Sequence, residues 1–259
     1  MSYKINFFIK YKILYLFLIV ALFNTNSYAE EPTVTFEDGS TYIGAIVNGN
    51  MEGIGTFMSV KNEAGEQLIY SGGFKGGKFN GAGQLDFYNG DTYIGDFSDG
   101  YMHGRGLLKY INGAEYEGFF NKGNKEGKGR LLYSDGSVYE GDFKNDNVEG
   151  IGKIIYEPGN EYQGNFLNNL MHGKGSIIFK DGSSYKGYFI NGQYNGLGIF
   201  YFPDGTYYKG EFKDGYRDGL GELVYIDKTK QSGNFKNGDF IGEITITFPD
   251  GTIQKQNAR

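Results

Sequence analysis

Tyr93-Ile94-Gly95-Asp96-Phe97-Ser98-Asp99-Gly100-Tyr101-Met102-His103-Gly104-Arg105-Gly106-Leu107-Leu108-Lys109-Tyr110-Ile111-Asn112-Gly113 is the stretch that decides how this chain folds. Counted from Tyr93, positions 1, 3 and 5 hold Tyr, Gly and Phe, and positions 12, 14, 16 and 18 hold Gly, Gly, Leu and Tyr. Spacing by two places each set on one face of a strand. Asp99-Gly100 at positions 7–8 and Asn112-Gly113 at 20–21 supply residues that tolerate positive φ, the chemistry of a hairpin turn. The stretch therefore predicts two strands and two turns.

Working outward, the same unit recurs. Tyr70, Tyr93, Tyr116, Tyr139, Tyr162, Tyr185 and Tyr208 follow one another at intervals of 23, and Gln231 takes the next place. Tyr42 stands 28 before Tyr70, so its copy carries five extra residues, read as an insertion at 59–67. Nine copies fill 42–253, a half copy at 34–39 precedes them, and the array is placed at 33–254 with a polar tail at 255–259. Such regular repetition makes each unit depend on its neighbours for burial. The expected fold is all-β, an elongated single-layer antiparallel sheet of stacked 23-residue hairpins.

Tyr-x-Gly-x-Phe-x-x-Gly-x-x-His-Gly-x-Gly, as it stands at 93–106, resembles the MORN repeat. The resemblance covers about 42–253 and implies a twisted, trough-shaped sheet with the aromatic side chains lining the trough. The sequence departs from the family pattern at position 5, never Trp here, and in the last copy, where Gln231 replaces Tyr and Ile244 replaces the second Gly, as in a degenerate capping copy. MORN arrays are associated with protein assembly, membrane attachment and lipid binding.

Glycine within a strand costs roughly 0.5–1 kcal/mol relative to Ala, so its repetition needs a cause. Clearance is the cause inferred. Gly95, Gly104 and Gly106 leave floor over which Tyr93, Phe97 and Tyr110, or their equivalents in neighbouring copies, can lie. These six residues are read as structural.

Composition narrows the function. Gly accounts for 44 of 259 residues and aromatics for 17%, while Pro is only 4, which excludes collagen and disordered linkers. Cys is absent and His is only 2, leaving no thiolate chemistry and little imidazole chemistry. His103 and His172 share position 11 three copies apart, roughly 29 Å along such a sheet, so they cannot hold one metal within a monomer. Turn hydrogen bonding and an intermolecular zinc contact are the two readings of them. The Gly-x-Gly pairs open no helix and make no dinucleotide fingerprint. No catalytic residue, cofactor or metal is assigned, and the chain is not read as an enzyme.

Lys4, Lys10 and Lys12, the apolar run 13–23 and the small residues Ser27 and Ala29 have the layout of a cleavable secretory signal, 1–29. The expectation is a bacterial exported protein, periplasmic or secreted. Losing three lysines and no acid would move the net charge from −6 to −9. That charge repels phosphate backbones and anionic headgroups, so nucleic-acid binding is excluded and membrane contact would need apolar or protein-mediated contacts.

The function expected is binding: a scaffold for a protein partner, with a membrane- or lipid-associating module and a glycan-binding aromatic trough as alternatives. Two places are proposed for a partner or for homodimer formation. On the face opposite the rings, copy seven and its neighbours set Ile178, Tyr188, Leu197, Ile199, Tyr201, Leu220 and Val224 side by side, either as a contact surface or as a patch buried by sheet curvature. At the C-terminus, Ile244, Ile246 and Phe248 read as an open edge strand, either for β-augmentation or as a plain cap.

Overall fold

The computed structural model describes residues 33–258, so the signal segment expected at 1–29 lies outside the described residues. Among the described residues the regular elements are twenty strands, with no helix. The chain forms two compact units, one running to Asn112 and including Phe119–Gly123, the other comprising Gly113–Gly118 and Asn124 onward.

The first unit contains β1 (Thr33–Thr35), β2 (Thr41–Val47), β3 (Asn50–Met58), β4 (Ile69–Lys75), β5 (Lys78–Asp86), β6 (Thr92–Ser98) and β7 (Tyr101–Lys109). β8 (Glu115–Asn121) follows. The second unit continues with β9 (Asn124–Leu132), β10 (Val138–Lys144), β11 (Asn147–Ile155), β12 (Glu161–Leu167), β13 (Leu170–Ile178), β14 (Ser184–Ile190), β15 (Gln193–Tyr201) and β16 (Tyr207–Lys213). It ends with β17 (Tyr216–Val224), β18 (Lys230–Lys236), β19 (Asp239–Thr247) and β20 (Ile253–Asn257). From β1 to β7, and again from β9 to β20, each strand pairs antiparallel with the next in sequence. The predicted stacked hairpins are therefore present in both units.

The turns explain the pairing. Asp99 and Gly100 both have positive φ, 52° and 88°, giving the two-residue turn whose twist matches its strands. The turn at positions 20–21 differs from its sequence reading. In Tyr133–Ser137, the Tyr133 N–H donates to the Ser137 carbonyl at 2.8 Å and Gly136 N–H to the Tyr133 carbonyl at 3.1 Å. Only Gly136 of its central pair is at positive φ, while the Asp135 carboxylate accepts the Ser137 N–H at 2.8 Å.

The register also carries a regular irregularity. Gly95 pairs with Gly106, but Asp96 pairs with His103, so Gly104 and Arg105 are looped out. Gly104 sits at φ 62°, and a Cβ there would fall 2.8 Å from the Asp96 carboxylate. Its glycine is thus required by the bulge and not by a reclining ring, which corrects the sequence reading of that position. Asp96 accepts the Arg105 N–H at 3.3 Å, and Asp142 does the same for Ile151 at 3.1 Å.

Neighbouring hairpin tips are stitched by one backbone bond. Gly192 N–H donates to the Met171 carbonyl at 2.8 Å, Gly215 to Tyr194 at 3.0 Å and Gly238 to Arg217 at 2.9 Å. At the C-terminus, Phe248-Pro249-Asp250-Gly251-Thr252 makes the same turn as Phe202–Thr206 and returns the chain as β20. Lys255, Gln256 and Asn257 are therefore strand residues, where the sequence reading placed a polar tail.

Candidate partner-binding surfaces

The ring face is built on glycine. Tyr93 is fully buried, and a Cβ on Gly95 or Gly106 would fall 2.4 or 2.3 Å from its atoms. Its hydroxyl donates to the Asp96 carbonyl at 2.9 Å, which fixes the reclining pose. Tyr42, Tyr70, Tyr116, Tyr139, Tyr162, Tyr185 and Tyr208 are buried to the same degree. Phe97 is buried between Tyr93 and Tyr70, edge-on to both at 5.1 and 4.9 Å. In the second unit the edge-on contacts continue without a gap from Tyr116 and Phe143 to Tyr208 and Phe235. Each such pair contributes about 0.5–1.5 kcal/mol beyond area burial, so the rings hold copies together. Tyr110 lies half-buried at the hairpin end, and it is Tyr93 that covers the glycine floor.

Burial sets the electrostatics of this face. It pushes the hydroxyls of Tyr70, Tyr139 and Tyr162 well above the usual tyrosine range and those of Tyr185, Tyr194 and Tyr208 to about 12. The shifted carboxylates belong to turns and hairpin tips. Ser40 and Ser183 hold Asp38 and Asp181 low by hydrogen bonding, Thr252 does so for Asp250, and Lys236 for Asp218.

One row on the ring face varies, and sequence reasoning missed it. Position 10 lies over the Tyr rings: Phe79 stacks on Tyr70 at 3.8 Å, Tyr194 on Tyr185 at 3.9 Å, and Lys125 and Arg217 reach over Tyr116 and Tyr208 at 5.6 Å. The position shares the even parity of positions 12, 14 and 16, which was the available signal. Its mixture of Met, Phe, Lys, Val, Tyr and Arg hid it. Position 11 serves the tips where it is Glu: Glu126 accepts the Asn145 N–H and Glu149 the Asn168 N–H, both at 3.1 Å. His172 differs, its Nδ1 being buried with no hydrogen-bond partner.

On the opposite face of the second unit, the apolar residues foreseen around copy seven occupy cross-strand rows. One row runs Ile178, Ser184, Tyr201, Tyr207, Val224. A second places Ile199 between Lys186 and Lys209. Leu197 pairs with Glu211, Leu220 with Asn234, and Lys174 reaches to within 5.6 Å of the Tyr188 ring. Ile178, Tyr188, Leu197, Tyr201 and Leu220 are exposed, Ile199 is half-buried, and Val224 is 6% exposed. Val224 thus leaves the exposed patch; its register partners are Tyr207 on one side and Lys230 on the other. Farther back on this face, ion pairs take over: Arg130–Glu140 at 3.3 Å and Lys153–Glu161 at 2.8 Å.

The foreseen edge strand is not an edge. Ile244 pairs with Gln256 and Ile246 with Gln254 of β20, both isoleucines are buried, and Phe248 opens the turn that leads there. The physical reason is the Pro249-Asp250-Gly251 turn, which leaves room for another strand. Ile244 fills the floor that glycine leaves bare elsewhere, because Gln231 brings no ring to lie on it.

A recess of about 420 Å³ opens on the ring face, lined by Phe202, Pro203, Asp204, Thr206, Arg217, Leu223 and Tyr225. Among the described residues no group of three or more His, Asp or Glu gathers as a metal site.

The TCP domain of SAS-4 (dCPAP) of Drosophila melanogaster, solved in complex with a proline rich motif of Ana2 (dSTIL), is 19% identical over 60% of this chain and 84% of that chain, with a TM-score of 0.40. The wild-type TCP10 domain of Danio rerio CPAP is 15% identical over 88% of this chain and 100% of that chain, with a TM-score of 0.38. No curated protein matches the chain. The profile of the MORN repeat matches residues 42–62, 70–92, 93–115, 116–138, 139–161, 162–184, 185–207 and 208–230. Those boundaries fall on the tyrosines that recline on glycine, and the chain belongs to the MORN-repeat family.

Proposed function

We propose that this protein is an exported, non-catalytic scaffold that holds a protein partner in the cell envelope or outside, and that it docks the partner on the outer face of its second unit. One observation carries the reading. Ile178, Tyr188, Leu197, Tyr201 and Leu220 stand on that face with 44–67% of their surface open to solvent. Large apolar side chains clustered on one exposed face mark a contact surface. The repeated tyrosines and phenylalanines of the ring face are committed to internal packing, so the outer face offers the larger variable surface for discriminating partners. A non-catalytic role is supported by the shifted groups, which are buried tyrosine hydroxyls and structural carboxylates. Export is supported by the basic, apolar and small-residue order of 4–29.

The test is cross-linking in the native cell, followed by identification of what is captured by the wild type and by a Leu197→Lys/Leu220→Lys variant. Both side chains are exposed, so the variant should unfold within about 0.5 kcal/mol of the wild type. Loss of one captured protein with the fold intact supports the reading. Unchanged capture removes the outer face from it.

A further inference from the structure

The position-10 row contains two cations in the second unit, and their surroundings differ. Lys125 reaches over Tyr116 and has the Asp146 carboxylate 3.9 Å away, at the neighbouring hairpin tip. Arg217 reaches over Tyr208 and Phe235, 5.6 and 5.1 Å from the ring centroids. The tip residue that corresponds to Asp146 is here Gly238, which offers only its carbonyl, taken by Arg217 Nη2 at 2.5 Å. The adjacent acid, Asp218, is engaged by Lys236 at 3.0 Å. Among the described residues no carboxylate pairs with Arg217, although the chain as a whole is acidic.

This half-buried guanidinium forms one wall of the 420 Å³ recess, whose other walls include Phe202, Pro203, Leu223 and Tyr225. Asp204 also lines the recess, its carboxylate accepting the Thr206 N–H at 2.9 Å. A shallow, mainly apolar recess whose guanidinium is ion-paired to no carboxylate, and whose one acid is turned to a backbone N–H, can take an apolar group carrying a carboxylate. We propose that the recess is a subsite for a peptide segment of the partner in which a carboxylate stands next to an aromatic or aliphatic side chain. The carboxylate accepts from the free guanidinium donors, and the side chain rests on Leu223 and Tyr225. This rests on the protein-binding reading above but uses the opposite face, so the two can fail separately.

The experiment titrates the isotope-labelled protein with N-acetyl-phenylalanine and, in parallel, with its carboxamide, which has the same body without the charge. Backbone amide shifts report the site. The acid should shift Arg217, Leu223 and Tyr225 saturably and bind about fivefold more tightly than the amide, the scale of a partly exposed ion pair. Arg217→Gln should reduce the acid to the level of the amide. Because losing Arg217 could also disturb the Tyr208 ring, a second variant keeps it: Gly238→Asp supplies the counter-ion that Asp146 gives Lys125, and should weaken the acid while leaving the amide unchanged. Equal binding of acid and amide, shifts spread over the whole ring face, no shifts at all, or acid binding unaffected by Gly238→Asp would each overturn the proposal. None of those outcomes bears on capture through Leu197 and Leu220.

Discussion

The ring of Tyr185 lies on Gly198 so closely that a Cβ there would fall 2.5 Å from both its Cε2 and its hydroxyl oxygen. The hydroxyl is held in place by donation to the Tyr188 carbonyl at 3.0 Å, so the ring cannot simply swing aside. Gly198→Ala should therefore destabilise by about 1–3 kcal/mol through overpacking. Gly192→Ala, at a tip with open space but φ of 83°, should cost about 1 kcal/mol for a different reason. Urea unfolding separates the two in a double-mutant cycle. Tyr185→Ala should relieve the penalty at 198 and leave that at 192 untouched. Additive costs at 185 and 198 would show that ring and floor are not coupled.

The last copy performs that exchange naturally. With Gln231 in the tyrosine place, the floor position holds buried Ile244. Ile244→Gly should open a cavity and cost about 2–5 kcal/mol. Adding Gln231→Tyr should recover a good part of the loss, since Phe79 over Tyr70 shows that a position-10 phenyl and a reclining tyrosine coexist. Thermal midpoints of the single and double variants decide it. No recovery would mean that Ile244 is fixed by β20 instead.

Alkaline pH tests the burial of the hydroxyls. Folding raises the Tyr185, Tyr194 and Tyr208 values from 10.0 to about 12. Between those values the unfolded chain has lost protons that the folded chain retains, so stability falls as pH rises. The stabilisation should be complete below about pH 10 and lost progressively towards pH 12. Tyrosinate absorbance should appear together with unfolding. Ionisation of all tyrosines near pH 10 with the fold intact would contradict it.

Removing residues 249–259 should expose β19. Its outer partner strand would be gone, leaving one side of Glu243–Thr247 unpaired beside the buried Ile244 and Ile246 while β18 still holds the other. Concentration-dependent sedimentation should follow, together with a lower unfolding midpoint. A truncated chain that sediments as the intact one would show that β20 is dispensable.

Much of this was legible because the repeat restates each rule many times. Gly95 and Gly106 sit at strand spacing beside Tyr93, and their role followed from the cost of glycine in a strand. Gly104 looked the same in sequence but serves a bulge, which depends on a skipped pair that no spacing reveals. Val224 shares repeat position 17 with the exposed Ile178 and Tyr201 yet is buried, a difference that spacing alone does not carry. β20 was missed although Pro249-Asp250-Gly251 matches the earlier turn at Pro203-Asp204-Gly205, because the polar residues after it lack the aromatic signature.

The bond that joins each hairpin tip to the carbonyl of the one before it has a consequence for how this protein can change in length. A tip amide in the second unit finds its acceptor 21 residues back, in the preceding copy. Insertion or loss of a complete 23-residue module would preserve every such join, whereas a partial one would strand a donor and shift the floor from under a ring. Growth by quanta, and not by increments, is what the stitching permits.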